Sequence, residues 1–110
     1  MRKILIIGAG RSASSLIKYL LEKSTEENLH LIIADLSLEA AKTKTQNHVN
    51  ASAIKLDIND IIERQNIIST VDLVISMLPA FMHLEVAKDC LQFQKNMVTA
   101  SYISPEMQNL

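Results

Sequence analysis

The stretch Lys3-Ile-Leu-Ile-Ile-Gly-Ala-Gly-Arg-Ser-Ala13 decides the fold of this chain. Its apolar run predicts a buried strand, which ends in a glycine turn spaced G-x-G-x-x-A before a helical pattern begins. Gly8 and Gly10 are the only glycines in 110 residues, so the match is more specific than it would be in a glycine-rich sequence. The motif predicts a strand, a tight turn and a helix N-terminus whose backbone N–H groups point toward a diphosphate.

The residues of this turn have predicted roles. Gly8 lets the backbone turn where a Cβ would clash, and Gly10 lets it approach a pyrophosphate closely. Ala13 allows the helix to pack on the strand, and Ser12 contributes through its backbone N–H. Arg11 at the head of the helix either meets the pyrophosphate or lies in solvent.

Composition bounds the class of protein. The chain is 48% hydrophobic and 21% charged with a net charge of −1, which is typical of one soluble globular domain spanning 1–110. This balance excludes the basic footprint of a nucleic-acid or anionic-membrane binder, and no apolar run approaches the ~20 residues of a membrane span. The single cysteine, Cys90, excludes an internal disulfide and favours a reducing cytoplasm. No His, Cys or carboxylate pair has metal-ligand spacing, so we expect no metal.

Apolar runs and helical patterns alternate along the whole chain. Predicted strands cover 4–7, 29–34, 51–56, 71–76 and 96–100, and predicted helices cover 12–23, 37–46, 60–69 and 82–92. Near-continuous apolar strands joined by helical crossovers indicate a parallel sheet covered on both faces. With the glycine turn after the first strand, this predicts the α/β doubly wound Rossmann fold with strand order 3-2-1-4-5.

Individual helix positions carry further predictions. Ser37 is expected to cap the second helix, and Asn59 the third. The third helix carries Ile61 and Ile62 as apolar residues, alongside Ile67 and Ile68. The apolar candidates of the fourth helix are Leu84, Val86, Ala87 and Leu91, and Cys90 is expected to be a small buried hydrophobe.

Two aspartates follow the second and third predicted strands, at the edge where ligands of such sheets bind. Asp35 lies 22 residues beyond Ala13, where an acidic side chain accepts hydrogen bonds from the adenosine ribose of NAD. A carboxylate there disfavours a 2′-phosphate, and Leu36 supplies no guanidinium to bind one, so the sequence favours NAD and leaves NADP open. The alternative for Asp35 is a solvated strand end or a helix cap. Asp57 either accepts from the adenine amine or caps the turn into the third helix.

Several longer motifs resemble one family. They are Ile7-Gly8-Ala9-Gly10-Arg11, Leu56-Asp57-Ile58-Asn59-Asp60, 72–79 (Asp-Leu-Val-Ile-Ser-Met-Leu-Pro), His83 and, most specifically, 98–107 (Val-Thr-Ala-Ser-Tyr-Ile-Ser-Pro-Glu-Met). Across essentially all 110 residues the chain resembles the N-terminal NAD(P)-binding Rossmann domain of the saccharopine dehydrogenase (saccharopine reductase) family.

The resemblance implies an activity and a set of site residues. The family transfers hydride to or from NAD(P) at the C–N bond of a secondary amine or imine that links two amino acids. By position, the pyrophosphate would be held by Gly8, Ala9, Gly10, Arg11 and Ser12, with Ala13 packing behind them. Asp57 would lie at the adenine, Leu78 and Pro79 at the nicotinamide-side ribose, and Ala100, Ser101 and Tyr102 at the substrate. NADP-dependent members look to carry Ser-Arg where this chain has Asp35-Leu36, which supports NAD.

Hydride transfer needs a second surface to place the carbon acceptor and exclude water. The resemblance assigns that surface to a later domain, so we expect this chain to be a fragment that binds dinucleotide without catalysing turnover. A carboxynorspermidine-type dehydrogenase of the same superfamily remains an enzymatic variant of this prediction. The alternative from another class is a stand-alone NAD-sensing Rossmann module, like the regulatory domains of potassium transport systems. Under both predictions the chain can form a homodimer.

Overall fold

The computed structural model describes residues 2–8, 11–45, 47–78 and 83–99, with side chains except those of 11–13, 83–84 and 99. Nine elements alternate in the described residues: β1 (Arg2–Ile7), α1 (Arg11–Ser24), β2 (Leu29–Asp35), α2 (Leu38–Thr45), β3 (Ala51–Lys55), α3 (Ile61–Thr70), β4 (Leu73–Ser76), α4 (His83–Gln92) and β5 (Asn96–Thr99). Among them, no helix combines the length and the apolar character that crossing a lipid bilayer would require.

The five strands form one parallel sheet in the order β3-β2-β1-β4-β5. The predicted doubly wound fold and its strand order are therefore confirmed. The chain moves outward from β1 to β3, then returns to the other side of β1 for β4 and β5. This reversal opens a crevice beside the carboxyl end of β1, where the helices that follow β1 and β4 lie on opposite faces.

Alternating side chains of the strands build two cores, one on each face of the sheet. On the first face, Ile4 and Ile6 of β1 pack with Ile17 and Leu21 of α1 and Ala41 of α2. The second face contains these residues of β1, β2, β4, α3 and α4: Leu5, Ile7, Ala34, Val74, Ile68, Val86 and Cys90. The strands are buried on both sides, which is why their sequences read as continuous apolar runs rather than as alternating ones.

Several predicted helix details differ from the structure. Asp60, not Asn59, is the N-cap of α3, and its carboxylate accepts the Glu63 N–H at 3.1 Å. The side chains of Ile61 and Ile62 are exposed, because the inward stripe of α3 consists of Arg64 and Ile68. Leu91 is likewise 80% exposed, since the inward stripe of α4 passes through Val86, Asp89 and Cys90.

Other predicted details agree with the structure. The Ser37 hydroxyl accepts the Ala40 N–H at 3.2 Å, as a helix N-cap does. Cys90 is buried within the second core. Gln46, Met82 and Ala100, which ended or began predicted elements, lie outside the described residues.

Candidate functional site

Gly8 follows β1, at the point where the order of the strands reverses. Its N–H donates to the Ala34 carbonyl of β2 at 2.8 Å, while the neighbouring Ile7 carbonyl accepts the Met77 N–H at 2.8 Å. The backbone then leaves the strand with φ +97° at Gly8. A Cβ on Gly8 would lie 3.4 Å from the Met77 carbonyl carbon, an ordinary van der Waals contact, so it is the positive φ that favours glycine here. Gly8 therefore presents backbone without a side chain at the carboxyl end of β1.

A cleft of about 160 Å³ opens beside this turn. The described residues that line it come from the carboxyl ends of the first four strands: Ile7, Gly8, Asp35, Leu36, residues 56–59 and Leu78. Its walls are largely apolar side chains, with two carboxylates among them. The cleft is smaller than the ~300–1,000 Å³ pocket of a drug-sized ligand, so it suits one part of a dinucleotide rather than the whole molecule.

Asp35 is the last residue of β2 and is half-buried at the cleft. Its Oδ1 accepts the Ser37 N–H at 2.8 Å, which makes the turn into α2. The helix-cap alternative is therefore part of the geometry. Leu36 follows with its side chain 64% exposed, so the predicted pair Asp35-Leu36 stands at the mouth of the cleft.

Asp57 occupies the corresponding place after β3. Its Oδ1 accepts the Asn59 N–H at 2.9 Å, and its carbonyl accepts the Asp60 N–H at 2.9 Å. Here too the turn-capping alternative is realised while the side chain stays exposed at the cleft. The preceding residue is fixed to the neighbouring strand end, because the Leu56 N–H donates to the Asp35 carbonyl at 2.9 Å.

Behind this turn lies a charged cluster that sequence reasoning missed. Arg64 of α3 and Asp89 of α4 are both almost fully buried, and the Arg64 Nε–H donates to the Asp89 carboxylate. Arg64 Nη1 donates to the Ile58 carbonyl at 2.8 Å, and Gln65 Nε2 donates to Asp89 Oδ1 at 3.2 Å. The available signal was that Arg64 lies four residues before Ile68 and Asp89 three after Val86, on the inward stripes of helices that share a core.

The remaining predicted site residues are less fully described. Arg11, Ser12 and Ala13 form the first turn of α1, and only their backbone is described. Ala9, Gly10, Pro79, Ala100, Ser101 and Tyr102 lie outside the described residues. Leu78 lines the cleft with Gly8 and both aspartates. Within the described part of the chain, no three His, Cys, Asp or Glu side chains are grouped so as to hold a metal ion.

Cys90, His30 and His48 are held in packing or hydrogen-bond contacts of the fold. Burial, reinforced by the charge of Asp89, raises the pKa of the Cys90 thiol from 9.0 to about 11, which keeps it protonated and unreactive at neutral pH. His30 Nε2 lies 2.7 Å from the Ser52 hydroxyl, and His48 Nδ1 accepts the Asn50 N–H at 3.0 Å. The side chain of His83 is outside the described ones.

Comparison with known families identifies the domain. The family described as "Saccharopine dehydrogenase NADP binding domain" matches residues 4–110. The chain belongs to this family. The resemblance carried by the glycine turn and by residues 72–79 and 98–107 is therefore confirmed.

Curated relatives and solved structures agree with this assignment. The chain is 34% identical to an alpha-aminoadipic semialdehyde synthase of Arabidopsis thaliana, over 94% of its own length and 11% of that protein. It is 33% identical to a saccharopine dehydrogenase [NADP(+), L-glutamate-forming] of Schizosaccharomyces pombe, over 100% and 24% of the two lengths. The apo saccharopine dehydrogenase (L-Glu forming) of Saccharomyces cerevisiae superposes on all of it with a TM-score of 0.82 at 27% identity. The chain thus spans about a tenth to a quarter of these relatives.

Proposed function

We propose that this chain is the dinucleotide-binding domain of an oxidoreductase that transfers hydride at the C–N bond of a secondary amine or imine joining two amino acids. The observation that carries the proposal is Gly8, whose positive φ leaves bare backbone at the sheet's switch point, beside a cleft with a carboxylate at each of two strand ends. Family membership supports the reaction class and favours it over a stand-alone sensing module.

The described residues fit a dinucleotide in three places. The diphosphate would lie at Gly8, where the positive φ favours a residue without a Cβ, and at the N-terminus of α1, because the first N–H groups of a helix have no partner within it. Asp35 would accept the adenosine ribose hydroxyls. The apolar Ile58 and the Asp57 carboxylate would border the adenine. When bound, the nicotinamide supplies or accepts the hydride.

We further propose that this domain prefers NAD to NADP, although its family is described as NADP-binding. Asp35 lines the cleft at the strand end where the adenosine ribose would bind, so a 2′-phosphate with a charge near −2 would meet its carboxylate. The residue after Asp35 is Leu36, an exposed hydrocarbon side chain that cannot pair with a phosphate. Charge therefore discriminates against NADP at this site.

The substrate side of the proposal rests on position in the family. Leu78 would border the nicotinamide-side ribose with Pro79, and Ala100, Ser101 and Tyr102 would face an amino-acid substrate. The relatives are at least four times longer than this chain, and we propose that their remaining length supplies the surface that holds the substrate. The candidate substrates are saccharopine, a carboxynorspermidine and related amines, and the reducing cytoplasmic location stays a prediction.

Titration calorimetry with ADP-ribose, which carries the diphosphate and the adenosine, tests the binding proposal. We expect the chain to bind ADP-ribose, and Gly8→Ala to weaken binding about tenfold or more, because alanine is strained at the positive φ of Gly8 and the turn must shift to relieve that strain. Asn50→Ala is the matched control, since Asn50 lies just before β3 at the opposite end of the strands. Equal affinity for ADP-ribose in the natural chain and Gly8→Ala would contradict the proposal.

A further inference from the structure

The buried charged cluster behind the Asp57 turn consists of Arg64, Gln65 and Asp89. The side chains of Arg64 and Asp89 are 5% and 4% exposed, and their ion pair joins α3 to α4. Glu85 contributes a weaker contact, with its Oε2 4.0 Å from Arg64 Nη2 and its side chain mostly in solvent. None of the three is a site residue predicted from the sequence, yet Arg64 and Asp89 are the most buried charges in the described part of the chain.

Fold stability alone is a poor reason for such a pair. Removing two charges from water costs about as much as their attraction returns, and apolar residues of similar volume often replace a buried pair without loss. The second core around the pair is apolar and would accept such residues. The contact that indicates a role for the pair is therefore the hydrogen bond that Arg64 makes to a residue outside the pair.

That contact is the hydrogen bond from Arg64 Nη1 to the Ile58 carbonyl. The arginine side chain reaches back over the first turn of α3 to the turn that precedes the helix. Ile58 lies directly beside Asp57 in the cleft. The preceding residue, Leu56, is already fixed to β2 through the Asp35 carbonyl. Asp57 is thus held between two fixed points, one on each side.

We infer that Arg64 is a positioning residue for the adenine end of the dinucleotide site, with Asp89 orienting its guanidinium. This inference rests on the proposed function, in which residues 57–59 border the adenine. Arginine suits the task because its planar fork donates in two fixed directions, through Nε to Asp89 and through Nη1 to Ile58. Gln65 donates a hydrogen bond to the other carboxylate oxygen of Asp89. The carboxylate that orients the Arg64 guanidinium is therefore itself restrained.

The test separates positioning from stability with the double variant Arg64→Met/Asp89→Leu. It removes both charges and leaves neither unpaired, so we expect it to unfold within about 5 °C of the natural chain. Without the Nη1 donor, residues 57–59 lose one fixed point, and we expect ADP-ribose to bind about tenfold more weakly by calorimetry. The Asn59 N–H donates to Asp57 Oδ1, and we expect its amide hydrogen exchange to become faster in the double variant.

Asn50→Ala is the control. It removes hydrogen bonds of 3.1 Å to Ser24 and Thr25 at the opposite end of the strands, and it should leave ADP-ribose affinity unchanged. A folded double variant that binds ADP-ribose as tightly as the natural chain would overturn the inference. A natural chain that does not bind ADP-ribose would contradict the proposed function itself, and the adenine role of Arg64 with it.

Arg64→Lys keeps the inference testable if the double variant fails to fold. It leaves a positive charge beside Asp89, but a single ammonium lacks the fork that serves both Asp89 and Ile58. We expect this variant to fold and to bind ADP-ribose several-fold more weakly than the natural chain. Natural affinity in Arg64→Lys would overturn the inference.

Discussion

The turns after β2 and β3 are alike in sequence and geometry but differ in what lies behind them. In each, an aspartate accepts the N–H two residues further on: Ser37 for Asp35 and Asn59 for Asp57. The Asp35 turn leads into α2 through the N-cap Ser37. The Asp57 turn is instead fixed by the buried Arg64, which donates a hydrogen bond to the Ile58 carbonyl. Similar local chemistry at neighbouring strand ends can thus depend on a surface cap in one case and on tertiary structure in the other.

The largest difference between the two turns should appear in folding stability. Arg64→Met leaves Asp89 buried without its main partner, and we expect the free energy of unfolding to fall by about 3–5 kcal/mol. Ser37→Ala removes only the cap of α2 and should cost about 1 kcal/mol. Urea unfolding measures both values. Equal losses in the two variants would show that the Asp57 turn has no deeper support than the Asp35 turn.

Cofactor choice should respond to the Asp35 turn. In the double variant Asp35→Ser/Leu36→Arg a carboxylate is removed and a guanidinium added, so the ratio of NADP to NAD affinity should rise about 10- to 100-fold, the equivalent of roughly 1.4–2.7 kcal/mol. Calorimetric titration with each dinucleotide gives the ratio. The interpretation of Asp35 fails if the ratio does not change.

The Asp57 turn should act on both cofactors alike, because NAD and NADP share their adenine. We expect Asp57→Ala to weaken NAD and NADP by the same factor, about threefold to tenfold, leaving their ratio unchanged. The same titrations serve as the measurement. A change in the NADP-to-NAD ratio as large as that of Asp35→Ser/Leu36→Arg would contradict the proposal that Asp35 contacts the ribose and Asp57 the adenine.

The last expected effect concerns Cys90, which is next to Asp89 in α4. Its folded pKa of about 11 lies above the ordinary 9.0, so between these values the unfolded chain releases a proton that the folded chain keeps. Stability contributed by the neutral thiol is present below pH 9 and is lost as pH rises toward 11. Urea unfolding at pH 8 and pH 10 should show a decline that is smaller in Cys90→Ala. An identical decline in both chains would contradict a buried, protonated thiol.

Much of the fold could be predicted because it depends on local patterns. The apolar run before Gly8, the alternation that follows and the strand-end positions of Asp35 and Asp57 all follow from residue spacing. Helix faces were less predictable: Ile61, Ile62 and Leu91 look like core residues, but tertiary packing turns them to solvent. Arg64 was missed for the same reason, because the sequence shows a charge and only the packed helices show its partner.

The most direct test of the account is calorimetric titration of the natural chain with NAD and NADP under one set of conditions. The bare backbone at Gly8 and the carboxylate of Asp35 predict that NAD binds, and that NADP binds at least about tenfold more weakly. Tighter binding of NADP would contradict the role given to Asp35. Binding of neither dinucleotide at millimolar concentration would reduce the glycine turn to a structural feature.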